Sequence, residues 1–195
     1  MKVYFFKPEK FSGIVVDEKD GGFETPYGFF KVPLSNVLDF LCDVGCDCVY
    51  VSSSKSFEEG KKAWMEWETP NSIVKKLKLS ERSRICGAIA LFVGFVREIN
   101  DGRKVIYLEY ERHEELYRKK LRELREKILS YPGVEDIAIF HKTGRVPAGE
   151  DIVYVAVMGR SRKDVWRALE DAVEGIKKEL PIWKKEVFEG GEFWI

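Results

Sequence analysis

The sequence predicts an α+β fold in two parts: a small N-terminal α+β domain over residues 1–68, and a larger domain over residues 72–195 that forms an antiparallel or mixed sheet packed with helices. Two observations predict this class. Hydrophobic residues make up 45% of the 195 residues and aromatic residues 13%, which is ample for buried cores. Strand-like runs and helical periodicities are interleaved with hairpin turn signals, a pattern that does not favour a doubly wound sheet.

Short apolar runs separated by turn residues characterise the first part. Strands are predicted in KVYFF, SGIVVD and GFFKVP, because Asp20-Gly21-Gly22 and Pro26-Tyr27-Gly28 are turn signals between them. Ser35 is the predicted N-cap of a helix, and the strand CVYVSSS follows that helix. A polar, proline-containing stretch at residues 68–72 then predicts the domain boundary.

The second part opens with GAIALFVGFV (87–96), a near-continuous apolar run that is typical of a buried strand. VIYLEYE (105–111) follows a turn signal and alternates apolar with polar residues, so we expect it to be the hairpin partner of that strand. A helix is predicted over residues 113–130, ended by Pro132-Gly133. Its expected apolar face comprises Leu116, Tyr117, Leu121, Leu124 and Ile128.

Two further strands, VEDIAIFHKTG and DIVYVAVMG, are predicted on either side of a turn at residues 146–149. The last helix is expected to start at Ser161 and to stop at Pro181, with an apolar stripe of Val165, Leu169, Ala172, Val173, Ile176 and Leu180. Trp183 is expected to pack against the turn that follows, and Gly190-Gly191 is interpreted as a bend.

Charge and hydropathy argue against several classes of protein. The 33 lysines and arginines balance the 33 aspartates and glutamates, so a nucleic-acid partner is disfavoured. No apolar run approaches the ~20 residues that a membrane helix needs. The apolar stretch before Lys7 is too short for a signal peptide, and we therefore interpret the protein as cytoplasmic, with no membrane partner.

Three of the four cysteines form a C-x3-C-x-C group, Cys42, Cys46 and Cys48. A zinc site is one interpretation, but it needs a fourth ligand from distant Cys86 or from a histidine. The other interpretation is a helix end running into a strand, with thiols as small apolar side chains in a reducing compartment. We favour the second and expect neither a metal nor a cofactor.

No phosphate-loop, dinucleotide, serine-hydrolase or zinc-protease motif is present. What remains is a set of basic residues near the ends of apolar elements: Arg97, Arg160, Arg162, Lys177, Lys184 and Lys185. Strand ends and helix N-termini favour anion binding, whereas helix-dipole complementation and solvated strand ends are the structural alternatives. His141 ends a predicted strand, and two roles are open for it: a residue of the functional site or a structural histidine.

The order of these residues resembles the large, catalytic subunit of molybdopterin synthase over about residues 72–195. The resemblance rests on three motifs: the G-x-V-R strand end (Gly94 to Arg97), the H-[RK]-x-G turn followed by P-x-G-[DE] (His141 to Glu150), and P-[FI]-W-K-[RK]-E (Pro181 to Glu186). It implies the α/β hammerhead fold of that family for this part.

The resemblance also implies an activity. The family enzyme converts cyclic pyranopterin monophosphate (precursor Z) into molybdopterin by installing two sulfurs as a dithiolene. The sulfur arrives as a thiocarboxylate on the C-terminal Gly-Gly of a small ubiquitin-like carrier subunit. The large subunit is usually a homodimer flanked by two small subunits, so a homodimer within a heterotetramer is expected here.

Carried over by position, the resemblance assigns roles to individual residues. Lys177 and Lys184 match basic active-site residues, and we expect them to be catalytic; repulsion among neighbouring cations would disfavour the ammonium form and suit general acid/base work. Substrate binding is expected of the remaining site residues, where arginine forks suit a phosphate: Phe92, Arg97, His141, Arg160, Ser161 and Arg162. Lys185 is interpreted as a surface charge.

Two features depart from the family pattern. Many members carry His-Arg where this chain has Ser161-Arg162, so two alternatives are open: one phosphate contact is missing, or Arg160 and the Ser161 hydroxyl supply it instead. The first ~70 residues exceed the usual N-terminal lead and are large enough for a small domain. A fused carrier would need a free C-terminal Gly-Gly, which residues 60–75 lack and which Gly190-Gly191 does not provide, so a regulatory or partner-docking appendage is favoured.

Two rival hypotheses accompany the enzyme. One is a non-catalytic anion- or protein-binding module that retains the fold, with residues 1–68 carrying its main role. The other is an unrelated phosphate-ester enzyme that uses the same basic residues.

Overall fold

The computed structural model describes residues 1–5, 8–52 and 64–194, and the chain divides into two compact units, Met1–Ser72 and Ile73–Ile195. The elements of the first unit are β1 (Lys2–Tyr4), β2 (Ile14–Lys19), β3 (Gly22–Thr25), β4 (Gly28–Phe30), α1 (Leu34–Asp43), β5 (Cys48–Ser52) and β6 (Trp64–Glu66). Helix α2 (Pro70–Leu79) begins in this unit and continues into the second.

After a 3-10 helix (Glu81–Ile85), the remaining elements are β7 (Ala88–Phe95), β8 (Ile99–Asn100), β9 (Arg103–Arg112), α3 (Glu114–Leu129), β10 (Val134–His141), β11 (Gly144–Pro147), β12 (Asp151–Gly159), α4 (Arg162–Glu179), β13 (Ile182–Phe188) and β14 (Gly191–Trp194). The mixture of sheets and helices confirms the predicted α+β class. None of the helices in the described part of the chain is long and apolar enough to cross a membrane.

The first unit is a mixed sheet with strand order β4-β3-β2-β5-β1-β6. Strands β1 and β2 are parallel to the central β5, and the outer strands are antiparallel to their neighbours. Helix α1 covers one face of this sheet. The buried core of the first unit comprises Val3, Val16, Val37, Leu38, Leu41, Cys42, Val49, Val51 and Trp67. The N-cap prediction is wrong by two residues: Pro33 precedes the helix in an extended conformation, and Ser35 lies in its first turn.

The cysteines of this unit are free thiols, and Cys42 is buried. Its Sγ donates to the backbone carbonyl of Trp67 at 3.6 Å, and burial raises the pKa of the thiol. Within residues 1–5, 8–52 and 64–194, no group of three or more histidine, cysteine, aspartate or glutamate side chains is placed to hold a metal ion. Ser53 and Ser54, predicted to end the strand β5, lie outside the described residues.

The core of the second unit is a three-stranded antiparallel sheet, β10-β12-β7. Helices α3 and α4 pack on one face, and α2 supplies Ile73 and Leu77 to the other. Central strand β12 is therefore covered on both sides, and its residues 154–159 are all buried.

A second antiparallel sheet has the order β11-β9-β13-β14, with the short β8 also pairing with β9. The predicted hairpin between GAIALFVGFV and VIYLEYE is thus wrong, because β7 pairs with β12 and β9 pairs with β8, β11 and β13. The physical reason is visible in the patterns. The apolar β7 adds an edge strand to the apolar β12, and it is only partly buried, since Leu91, Phe92 and Phe95 are exposed. Alternating β9 instead buries Leu108 and Tyr110 on one face and directs Glu109 and Glu111 to the other.

Two predicted turns are partly strand in the structure. Residues 144–147 form β11, so the turn lies at residues 148–150, and the residues after Pro181 form β13. Trp183 is 51% exposed and does not fill a turn. Gly190, with φ of 102°, provides the predicted bend between β13 and β14.

Helices α3 and α4 pack closely because Gly175 has no side chain. A Cβ atom there would collide with the side chain of Leu124, which is fully buried. The predicted apolar face of α3 is confirmed at Tyr117, Leu124 and Ile128, but Leu116 is 43% exposed. Helix α4 begins at Arg162 with Ser161 as its N-cap, one residue after the predicted start at Ser161.

His141 is a polar residue that is buried beside the second sheet. His141 is 8% exposed; its Nδ1 lies 2.6 Å from the Lys142 carbonyl, which only accepts, so Nδ1 carries the proton. Desolvation lowers the pKa of His141 from 6.5 to about 4, a shift that the bond to Lys142 opposes and the nearby charge of Arg112 assists. The imidazole is therefore neutral at physiological pH.

Leu124→Ala is expected to lower the free energy of unfolding by about 2–5 kcal/mol, because truncation leaves a cavity between α3 and α4. Leu116→Ala on the same helix is the matched control, and its exposed position predicts a loss of about 0.5 kcal/mol or less. Chemical denaturation measures both variants. Equal losses would contradict the assigned burial.

Acid should destabilise the protein partly through His141. Below pH 6.5 the imidazole is protonated in the unfolded chain, whereas in the folded chain it stays neutral down to about pH 4. The free energy of unfolding therefore falls as the pH is lowered through this window. Between pH 7 and pH 4.5 this amounts to about 2 kcal/mol. His141→Asn keeps a donor near the Lys142 carbonyl but cannot titrate, and its unfolding free energy should fall by that much less. Parallel pH profiles for the two proteins would refute the assignment.

Candidate active site

The predicted site residues fall into two groups at opposite ends of the three-stranded sheet. Strands β7 and β12 are antiparallel, with Ala88 opposite Gly159 and Phe95 opposite Asp151. Arg97 follows the end of β7, whereas Arg160, Ser161 and Arg162 follow the end of β12. The eight residues of β7 span about 23 Å. A single chain therefore does not bring all predicted residues together.

The first basic group consists of Arg97, Lys177 and Lys184. Helix α4 starts beside Gly159 and packs back along β12 and β7, so its last turn with Lys177 reaches the other end of the sheet. Val96 and Ile182 belong to one apolar cluster, which brings the neighbouring Arg97 and the start of β13 to the same region. These three cations thus lie at one end of the unit.

The ion pairs distinguish the members of this group. The Arg97 side chain is exposed and the Lys184 side chain is half-buried. Neither side chain makes a hydrogen bond or an ion pair with the described residues. Lys177 is 3.3 Å from Glu174, and the adjacent Lys178 is 3.4 Å from the same carboxylate. The Lys177 side chain is 68% exposed, so this surface pair is weak and an anionic ligand can displace it.

Alternation along β13 separates Lys184 from Lys185. Lys185 faces outward, 2.9 Å from Glu109 and 3.5 Å from Glu192, and its side chain is only 15% exposed. The hydrogen bond that Lys185 donates to the Glu109 carboxylate raises the pKa of the lysine. The interpretation of Lys185 as a surface charge is therefore wrong, because it bridges two strands. Lys184 points to the inner face, directly across from Tyr110.

Sequence reasoning missed several polar residues on this inner face. Tyr110 is 8% exposed and meets the His141 ring edge-to-face at 4.8 Å. Arg112 donates to the His141 carbonyl at 3.3 Å and lies over the Tyr117 ring at 4.1 Å. The alternation of VIYLEYER would have revealed them, since a residue in phase with buried Leu108 has to face inward.

Glu186 is a further residue of the inner face that was not assigned a role. It is 2% exposed, and the Asn100 amide donates to both of its carboxylate oxygens, at 3.2 and 3.0 Å. Burial and this nearby negative charge raise the pKa of Tyr110 to about 12. His141 is likewise buried and neutral, so it orients Tyr110 rather than presenting a charge to an anion.

The second basic group has one member without an internal partner. Arg160 is 2.7 Å from Glu135, and the Ser161 hydroxyl donates to Asp164 at 2.8 Å, within the cap of α4. Arg162 is the first residue of α4 and makes no ion pair with the described residues. Its position favours an anion, because the helix N-terminus adds a partial positive charge.

Phe92 lies on β7 between the two groups and is 37% exposed. Its ring leans over Gly94, where an added Cβ would lie 3.2 Å from the ring. The glycine of the G-x-V-R motif thus has a structural reason, since an added Cβ would also lie only 2.7 Å from Val153 Cγ1 on the neighbouring strand.

Comparisons with known proteins agree with this architecture. A sequence model of the family described as MoaE protein matches residues 67–179. The molybdopterin synthase catalytic subunit of Pyrococcus abyssi is 38% identical over 109 residues, which are 56% of this chain and 74% of the relative. The structure of molybdopterin synthase from Staphylococcus aureus matches with a TM-score of 0.59 at 36% identity, over 66% of this chain and 90% of that chain.

A complex of subunits 1 and 2 of molybdopterin-converting factor from Helicobacter pylori shares the fold, with a TM-score of 0.54 at 23% identity over 65% of this chain and 84% of that chain. The family match leaves residues 1–66 outside and covers more than half of the 195 residues. By that match, and by the share of the Pyrococcus abyssi relative that it spans, the chain belongs to the MoaE family.

Proposed function

We propose that this chain is the catalytic subunit of a molybdopterin synthase, which transfers sulfur to cyclic pyranopterin monophosphate and forms the molybdopterin dithiolene. The observation that carries the proposal is that two cations of the first basic group lack side-chain partners among the described residues. Among residues 1–5, 8–52 and 64–194, Arg97 and Lys184 have no side-chain partner, and they lie at one end of a MoaE-family fold, where an anionic substrate would supply the missing charge. The coarser statement follows from its relatives: the chain is an enzyme of molybdenum cofactor biosynthesis.

The sulfur donor in this proposal is a small ubiquitin-like carrier with a C-terminal Gly-Gly thiocarboxylate. The Helicobacter pylori relative is described as a complex of two subunits, which supports a two-component enzyme. The role of residues 1–68 as a regulatory or partner-docking appendage stays a prediction.

The chemistry suits the residues present. The arginine fork of Arg97 matches the phosphate of the substrate in a bidentate geometry. Sulfur transfer to carbon needs protons to be delivered and removed, and opening the cyclic phosphate adds negative charge. Lys184 and Lys177 are assigned to these proton transfers, with Lys184 the better placed, because it is half-buried and faces the enclosed inner surface.

Two copies of the chain are needed to complete the site. Arg97 and Arg162 lie beyond opposite ends of β7, about 23 Å apart or more, which exceeds the length of a pterin phosphate. Both residues are without ion-pair partners in the described structure, and both suit an anion. A homodimer that places the second basic group of one copy beside the first basic group of the other joins them in one pocket.

Alanine substitution of Lys177 or Lys184 is expected to lower the single-turnover rate of dithiolene formation by about 100-fold or more, because each would remove a proton-transfer group. Lys178→Ala is the matched control, since Lys178 is the neighbouring lysine on the same helix, contacts the same Glu174 and is assigned no proton transfer. The assay uses the full chain, a thiocarboxylated carrier and cyclic pyranopterin monophosphate. An unchanged rate would remove that lysine from the mechanism. Substrate binding without turnover by the unmodified protein would favour the non-catalytic binding module.

Complementation tests the two-copy site. Arg97→Ala and Arg162→Ala should each be strongly impaired alone, because every site then lacks one cation. After the two variants are mixed and allowed to exchange subunits, random pairing should restore about a quarter of the unmodified activity, from one intact site in each mixed dimer. No recovery in samples with demonstrated subunit exchange would contradict a shared site.

A further inference from the structure

Tyr110 has a buried ring and a hydroxyl group without an internal partner. The residue is 8% exposed. Its hydroxyl makes no hydrogen bond with the described residues, yet no buried side-chain oxygen or nitrogen in that part of the chain lacks a partner. The hydroxyl oxygen must therefore reach the surface, while the ring is held inside. Such a group is a fixed donor that is open to a ligand.

The neighbours of Tyr110 direct this hydroxyl to the first basic group. In the row of paired residues across β11, β9 and β13, Tyr110 lies between Gly144 and Lys184. Directly paired residues have Cβ atoms about 5 Å apart, so the lysine and the tyrosine start side by side on the same face. Gly144 leaves the other side open, and there the edge-to-face contact with His141 at 4.8 Å fixes the ring.

The surrounding charges keep the hydroxyl protonated. Burial and the negative charge of Glu186 raise the pKa of Tyr110 to about 12, so the group remains a donor near neutral pH. Glu186 accepts hydrogen bonds from the Asn100 amide, and the described residues show no hydrogen bond from Tyr110 to it. The Tyr110 hydroxyl and the Lys184 amine thus belong to directly paired residues, and neither has a hydrogen-bond acceptor among the described side chains.

We propose that Tyr110 is a catalytic residue whose hydroxyl donates a hydrogen bond to the substrate oxygen that Lys184 faces and that gains negative charge during sulfur transfer. This inference rests on the proposed function and adds a residue to it. The donor strengthens as charge develops, so its loss lowers kcat more than it raises KM. The proton stays on Tyr110, and Lys184 carries out the proton transfer.

Tyr110→Phe removes the hydroxyl and keeps the ring against His141. With the full chain, thiocarboxylated carrier and cyclic pyranopterin monophosphate, kcat is expected to fall by about 100-fold and KM to change by less than about threefold. Tyr107→Phe is the matched control: Tyr107 is three residues earlier on β9, and its ring lies under Arg145, 5.0 Å from the guanidinium carbon, on the outer face. That variant should keep the unmodified kcat.

The outcomes separate the two proposals. If the unmodified protein forms no dithiolene, the proposed function fails, and this inference falls with it. If the unmodified protein turns over and Tyr110→Phe has the same kcat, only the role of Tyr110 is overturned. Should Tyr110→Phe unfold, incorporation of 3-fluorotyrosine at this position keeps the ring and makes the hydroxyl more acidic. The hydroxyl remains protonated near neutral pH and becomes a stronger donor, so kcat measured there should rise, and an unchanged kcat would overturn the proposal.

Discussion

The burial of strand β12 on both faces is the constraint on which the larger unit depends. Each fully buried valine or methionine of this strand contributes about 1.5–3 kcal/mol, but only if both faces are covered by other apolar elements. Helices α3 and α4 provide that cover on one side and α2 on the other. Because the basic residues follow the two ends of this sheet, the packing that stabilises β12 also sets the distance between the two groups.

Within that frame, internal ion pairs decide which cations are available to a ligand. Arg160 forms an ion pair with Glu135, and Lys185 forms one with Glu109. Both pairs connect elements of the fold. Arg97 and Lys184 have no such partner in the described residues. An unpaired, half-buried cation is costly unless a ligand compensates it, and this cost is the physical reason for proposing an anion beside Lys184.

The buried polar residues of the inner face have a supporting role. Asn100 donates to the Glu186 carboxylate, His141 donates to the Lys142 carbonyl, and Arg112 donates to the His141 carbonyl. These hydrogen bonds form without a substrate. These fixed groups leave little freedom to the ring of Tyr110. A site built from strands with satisfied neighbours keeps its geometry better than one built from loops.

The sequence by itself determined the α+β class, most element positions and the residues of both basic groups, because periodicity, turn residues and the family motifs are local signals. It also located the helix α4 from its Ser161 cap to Pro181. The partner of each strand was decided only by the tertiary structure, and so β7 pairs with β12 rather than with β9. Pairing depends on which faces find apolar cover, a property of distant segments that no local pattern encodes. The opposite directions of Lys184 and Lys185, and the inward position of Tyr110, follow from that pairing.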